Sequence, residues 1–181
     1  MTIEETYLKG CYIITPDIHN DSRGEFFESF NKQAFEKDTG IHIEFVQDNQ
    51  STSIRNVLRG LHFQTEPHKQ AKLVRVIQGE VLDICVDIRK GSDTFGKHFS
   101  ILLNSNDNKQ LFIPGGFAHG FLTLSESAIF CYKCDRYYNK DSERGIIYND
   151  RDLNIDWGIK ENEVLLSEKD RILPAFKSLF K

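Results

Sequence analysis

Short apolar runs separated by turn chemistry fill the middle of the chain. They fall at 72–78, 80–88, 98–103, 110–113, 116–124 and 128–134. The intervals hold Gln78-Gly79, Lys90-Gly91-Ser92, the stretch 104–108 and Pro114-Gly115-Gly116. Runs this short, bounded by Gly, Pro and Asn, predict β-strands, and their regular spacing predicts a sandwich or barrel. Segment 80–88 shows the period most clearly. Leu82, Ile84, Val86 and Ile88 fall on one face, and Asp83, Cys85 and Asp87 on the other. Such alternation predicts a sheet with one apolar face and one more polar face. Segments 24–30 and 43–47 are further strand candidates. Helices are confined to the margins. Asn31 can cap a short helix over 31–38. Ser167-Glu168-Lys169-Asp170 has the form of a capping box, Pro174 limits the helix that follows, and 175–181 predicts another amphipathic turn or two. No repeat, linker or low-complexity stretch interrupts the pattern. It predicts one all-β domain over 1–181 with a few short marginal helices.

Composition narrows the class. With 181 residues, 39% hydrophobic and 28% charged, the chain is an ordinary globular protein and neither disordered nor collagen-like. Fourteen Phe and six Tyr against one Met suit pleated sheets. The balance of 23 basic and 27 acidic residues, a net charge of −4, argues against a nucleic-acid surface. No apolar run approaches the roughly 18 residues of a membrane helix, and the opening residues lack signal-peptide anatomy. The expectation is a cytoplasmic protein with neither membrane nor nucleic acid as partner. Cys131 and Cys134 form a C-x-x-C, but they sit in a segment that reads as a strand. Residues three apart on a strand point to opposite faces, so all four cysteines read as plain thiols in a reducing compartment.

Candidate chemistry is spread along the chain in a fixed order. Asp21-Ser22-Arg23-Gly24 comes first, then Arg59-Gly60-Leu61-His62-Phe63-Gln64, Gln70-Ala71-Lys72, Ala118-His119-Gly120-Phe121 and Tyr132-Lys133-Cys134. In these motifs, from about residue 10 to 174, the chain resembles the dTDP-4-dehydrorhamnose 3,5-epimerases. The resemblance implies a cofactor-free jelly-roll β-sandwich of the cupin type, usually a homodimer. The implied substrate is a dTDP-linked 4-keto-6-deoxy sugar. A C4 ketone acidifies the protons on C3 and C5, so inversion needs a base, an electron sink and an acid on the opposite face. The resemblance assigns His62 as base, which an imidazole near neutral pH can be. It assigns Asp170 as the carboxylate fixing that imidazole and Tyr132 as acid, protonated at neutral pH. Lys72 would meet the oxyanion at O4. Arg23, Glu28, Gln47, Asn49, Arg59, His119, Tyr138, Glu143 and Lys169 fall on substrate-binding positions, the arginines suiting diphosphate oxygens.

Each residue also has a plainer reading. Taken singly, His62 is a structural histidine, Asp170 the last member of a capping box, Tyr132 a strand aromatic and Lys72 a solvated lysine. Three rival functions follow from the same residues. One is an epimerase inverting only C3 or C5 of another 4-keto nucleotide-sugar. Another is a metal-dependent cupin using His62, His68 and His119, although Phe63-Gln64 stands where a metal cupin places a second histidine. The third is a non-catalytic sugar-nucleotide binder.

Overall fold

The computed structural model of the protein describes residues 1–180. The chain runs β1 (Thr2–Glu5), β2 (Tyr12–Thr15), β3 (His19–Asp21), β4 (Gly24–Phe26), α1 (Lys32–Thr39), β5 (Gln47–Ile54), β6 (Leu58–Gln64) and β7 (Lys72–Gln78). It continues with β8 (Glu80–Asp87), β9 (His98–Asn104), β10 (Gln110–Ile113), β11 (Phe117–Thr123), β12 (Ser127–Cys134), β13 (Glu143–Gly145), α2 (Glu168–Arg171) and α3 (Phe176–Leu179). Two sheets form a jelly-roll sandwich. One has the order β1-β2-β10-β7-β12-β5 and the other β13-β6-β11-β8-β9, and every pairing within them is antiparallel. The short β3–β4 hairpin stands apart and is exposed.

Both faces of each central sheet are covered. Between the sheets lie Val74, Val76, Val81, Cys85, Leu111, Phe121 and Phe130. The outer face of the five-stranded sheet carries Leu58, Leu61, Ile84, Val86 and Leu122 under a C-terminal wrap containing Ile146, Leu153, Trp157 and Phe176. The outer face of the six-stranded sheet buries Ile14, Leu73 and Phe112 under Phe35 of α1 and Ile43. Each fully buried side chain of this size contributes about 2–3 kcal/mol. Segment 80–88 has the expected apolar face, and its more polar face is buried too: Asp83, Cys85 and Asp87 are all fully buried.

Two other expectations change. Segment 24–30 yields only the three exposed residues of β4. Segment 43–47 is irregular until Gln47, where the polar strand β5 begins. Residues 58–64 form a strand themselves, and β1 and β2 add an edge that the pattern of apolar runs did not mark. Helix α1 matches closely: the Asn31 side chain accepts from the Ala34 N–H at 3.0 Å, and Gly40 closes the helix in a left-handed conformation. Helix α3 covers Phe176–Leu179 of the expected 175–181, whose last residue, Lys181, lies outside the described residues.

One irregularity sets the site. His62 pairs with His119 and Arg59 with Phe121, so Gly60 and Leu61 of β6 stand against the single Gly120 of β11. This is a β-bulge. Gly60 has φ of +136°, and a Cβ there would lie 2.5 Å from the Gly120 Cα. Only glycine fits so close an approach.

Candidate active site

A cavity of about 570 Å³ lies between the sheets. Strand β5 lines it with Asn49 and Ser51, β6 with Arg59 and His62, β7 with Lys72, β11 with His119 and β12 with Tyr132. The segment entering α2 adds Ser167, Lys169 and Asp170, and the stacked rings of Phe121 and Phe130 add an apolar wall. Without the bulge, Arg59 and His62 would point to opposite faces of β6. With it, both reach the cavity.

His62 Nε2 lies 2.6 Å from Asp170 Oδ1, and the Asp170 side chain is only 5% exposed. Two backbone bonds stitch the C-terminal segment to the start of β6. The Leu58 N–H donates to the Leu165 carbonyl at 3.0 Å, and the Leu165 N–H to the Asn56 carbonyl at 2.9 Å. Ser167 then caps α2, its Oγ accepting from the Asp170 N–H at 3.1 Å. The capping box therefore forms in its backbone half, while its carboxylate turns to the histidine. Burial acts to raise the Asp170 carboxyl. Its interactions with His62, together with bonds from Ser167 and the Gly60 backbone, overcome this and hold it below the usual carboxylate range.

Lys72 and Tyr132 enter from the opposite sheet as neighbours on β7 and β12, the ammonium 5.7 Å from the ring centroid. Burial draws Lys72 below the ordinary lysine range, while Cys134, Asp83 and Glu143 pull the other way. Burial raises Tyr132, with Cys134 and Glu143 adding to it and Arg59 opposing, so the phenol keeps its proton at neutral pH. Arg59 is aimed by Ser53, whose Oγ accepts from Nε at 3.0 Å.

At the rim, Glu143 bridges two groups. It lies 2.5 Å from Lys169 Nζ and accepts from the Tyr138 hydroxyl at 2.9 Å. Burial acts to raise its carboxyl, but Lys169, Tyr138 and His62 hold it low. Gln47 donates to Asn49 Oδ1 at 3.0 Å and accepts from the Tyr138 N–H at 2.9 Å. Arg59, Lys72 and Lys169 thus bring three cations to the mouth and wall of one cavity in a chain of net charge −4. That concentration suits a diphosphate.

Of the expected site residues, His62, Asp170, Tyr132, Lys72, Asn49, Arg59, His119 and Lys169 line the cavity, and Gln47, Tyr138 and Glu143 adjoin it through the bonds above. Arg23 and Glu28 do not line it. Arg23 sits in the exposed hairpin, paired with Asp21 at 2.6 Å. The metal-cupin set is not assembled. His68 is in a loop away from the cavity, and among the described residues no group of three His, Cys, Asp or Glu is placed to hold a metal ion. Cys131 faces Gln50 and Cys134 faces Asn49 on opposite sides of β12, and all four cysteines are free. Sequence reasoning missed Ser51, Ser53 and Asp83, the last bonded to His119 at 2.8 Å. Only the β8–β11 pairing brings Asp83 and His119 together.

Comparison with known proteins agrees with this geometry. Residues 5–178 match the dTDP-4-dehydrorhamnose 3,5-epimerase family. The dTDP-4-dehydrorhamnose 3,5-epimerase of Shigella flexneri is 49% identical over 170 residues, covering 94% of this chain and 93% of that one. The crystal structure of the corresponding epimerase from Elizabethkingia anophelis superposes with a TM-score of 0.96 at 50% identity, covering 100% and 99% of the two chains. A Legionella pneumophila dTDP-6-deoxy-D-glucose-3,5-epimerase, solved in complex with dTDP-4-keto-L-rhamnose, superposes with a TM-score of 0.93 at 46% identity over 97% and 93%. Fold, cavity and comparisons converge, and the chain belongs to the dTDP-4-dehydrorhamnose 3,5-epimerase family.

Proposed function

We propose that this protein inverts C3 and C5 of dTDP-4-keto-6-deoxyglucose, as an isomerase of dTDP-L-rhamnose biosynthesis. One observation carries the reading: His62 from one sheet and Tyr132 from the other line the same cavity. A sugar held between them presents one face to a base and the other to an acid. His62 takes the proton from C3, and the C–H electron pair moves into a C3–C4 double bond with charge on O4. The Lys72 ammonium stabilises that oxyanion. Tyr132 then gives its proton to the opposite face of C3, the carbonyl re-forms, and solvent restores both side chains. The same cycle at C5 completes the double inversion.

Arg59 and Lys169 bind the diphosphate, and His119, Asn49, Gln47, Tyr138 and Glu143 orient the nucleotide-sugar. Arg23 and Glu28, which do not line the cavity of their own chain, act in the cavity of a second copy within a homodimer. The whole chain, 1–181, works as one cytoplasmic catalytic domain without a cofactor, and neither nucleic acid nor a membrane is a partner. No helix among the described residues is long and apolar enough to cross a membrane. Proton NMR of dTDP-4-keto-6-deoxyglucose in deuterated water with the enzyme tests the reaction. Deuterium entering at both C3 and C5 is expected. Deuterium at one carbon alone would make the protein a single-site epimerase, and deuterium at neither would reject the reading.

A further inference from the structure

Asp83 on β8 lies behind the cavity wall and is fully buried. Its Oδ2 lies 2.8 Å from His119 Nε2, whereas its Oδ1 has no hydrogen-bond partner. A buried carboxylate with one oxygen unsatisfied is costly. Packing alone would favour a neutral side chain of the same shape. The groups facing this charge supply a reason for it. His119 stands opposite His62 in the β6–β11 register, so one wall carries two imidazoles side by side, each tied through Nε2 to its own carboxylate. A carboxylate that only accepts would set the ring proton of His119 on Nε2 and leave Nδ1 as the acceptor. The opposite tautomer would set a lone pair against the carboxylate. The Lys72 ammonium also feels the Asp83 charge.

We propose that Asp83 is a positioning residue of the epimerisation. It holds His119 as the Nε2–H tautomer, so that Nδ1 accepts from a hydroxyl of the hexose, and it supplies counter-charge to Lys72 where the enolate oxygen forms. This inference rests on the epimerase reading above. Asp83 acts through its two neighbours and does not touch the sugar.

The test uses Asp83→Asn, which keeps the shape but removes the charge and lets an amide N–H face Nε2. With the fold intact, kcat should fall at least about tenfold, the lower end of what losing a histidine's carboxylate partner costs. The affinity for dTDP alone should hold, because the proposal sets His119 against the hexose. In an His119→Gln background the same change should cost clearly less than it does alone, the remainder being its share through Lys72, since coupled residues are not additive. Nitrogen NMR of the histidine-labelled wild-type protein gives a readout that no folding defect can confuse, and His119 should appear as the Nε2–H tautomer. Wild-type kcat in Asp83→Asn, a full additional loss in the His119→Gln background, or an Nδ1–H tautomer in the wild type would each overturn the inference and leave the epimerase reading standing. A wild-type enzyme that exchanges hydrogen at neither C3 nor C5 would overturn that reading itself.

Discussion

His62 and Asp170, 108 residues apart in the chain, meet at 2.6 Å across the join between β6 and the segment entering α2. The carboxylate is held ionised, because its bonds outweigh the effect of burial. In the proposed mechanism it fixes the imidazole and stabilises the imidazolium formed when a carbon-bound proton is taken. Asp170→Asn keeps the shape and loses both effects. The expected result is a kcat lower by about 10³–10⁴-fold with KM little changed, as for other histidine–carboxylate pairs. Steady-state kinetics with a circular dichroism check of folding measures it.

Tyr132→Phe removes only the phenolic proton and leaves the ring beside Phe130 and Lys72. Removal of the C3 proton by His62 should continue, while delivery to the opposite face should fail. Epimer yield should drop by about 10²–10⁴-fold, with deuterium exchange in retained configuration persisting. Exchange and yield are read from the same NMR sample. Joint loss of both would give Tyr132 a role in proton abstraction or substrate placement.

Asp87 anchors the loop after β8 and gives the fold a pH limit. Burial acts to raise its carboxyl, but bonds from Arg89, Ser92 and Thr94 bring it down to about 2. A folded pKa below the unfolded value means that the stabilisation is fully present above about pH 4 and is lost as pH falls towards 2. Asp87→Asn should cost on the order of 2 kcal/mol at neutral pH. Its thermal midpoint should converge on that of the wild type in acid, as melts from pH 7 to pH 2.5 would record.

Of the strands that line the cavity, β7, β11 and β12 were legible in the sequence through their apolar residues, and β5 and β6 were less so. Strand β7 announces itself through Leu73, Val74 and Val76. Strand β5 has no such signature. Its inward residues Asn49 and Ser51 face the cavity, Ser53 braces Arg59, and its other side chains are largely polar. In β6, Gly60 looks like a strand breaker, yet it forms the bulge that points Arg59 and His62 the same way. The resemblance supplied His62, Tyr132, Lys72 and Asp170, whereas residue patterns alone left each with a plainer role. Asp83 was visible only as the polar side of an alternating strand, because its bond to His119 depends on strand pairing. Arg23 and Glu28 carry no local sign that they lie outside the cavity of their own chain.

The central claim is that one base, His62, serves both carbons. It is tested most directly by His62→Asn with dTDP-4-keto-6-deoxyglucose in deuterated water, following C3 and C5 by proton NMR while dTDP affinity is measured separately. Exchange should disappear at both carbons together and dTDP binding should stay within a few-fold of wild type, since the proposed mechanism sets the histidine against the sugar. Exchange surviving at either carbon in a folded, dTDP-binding variant would contradict it, because a second base would then be at work.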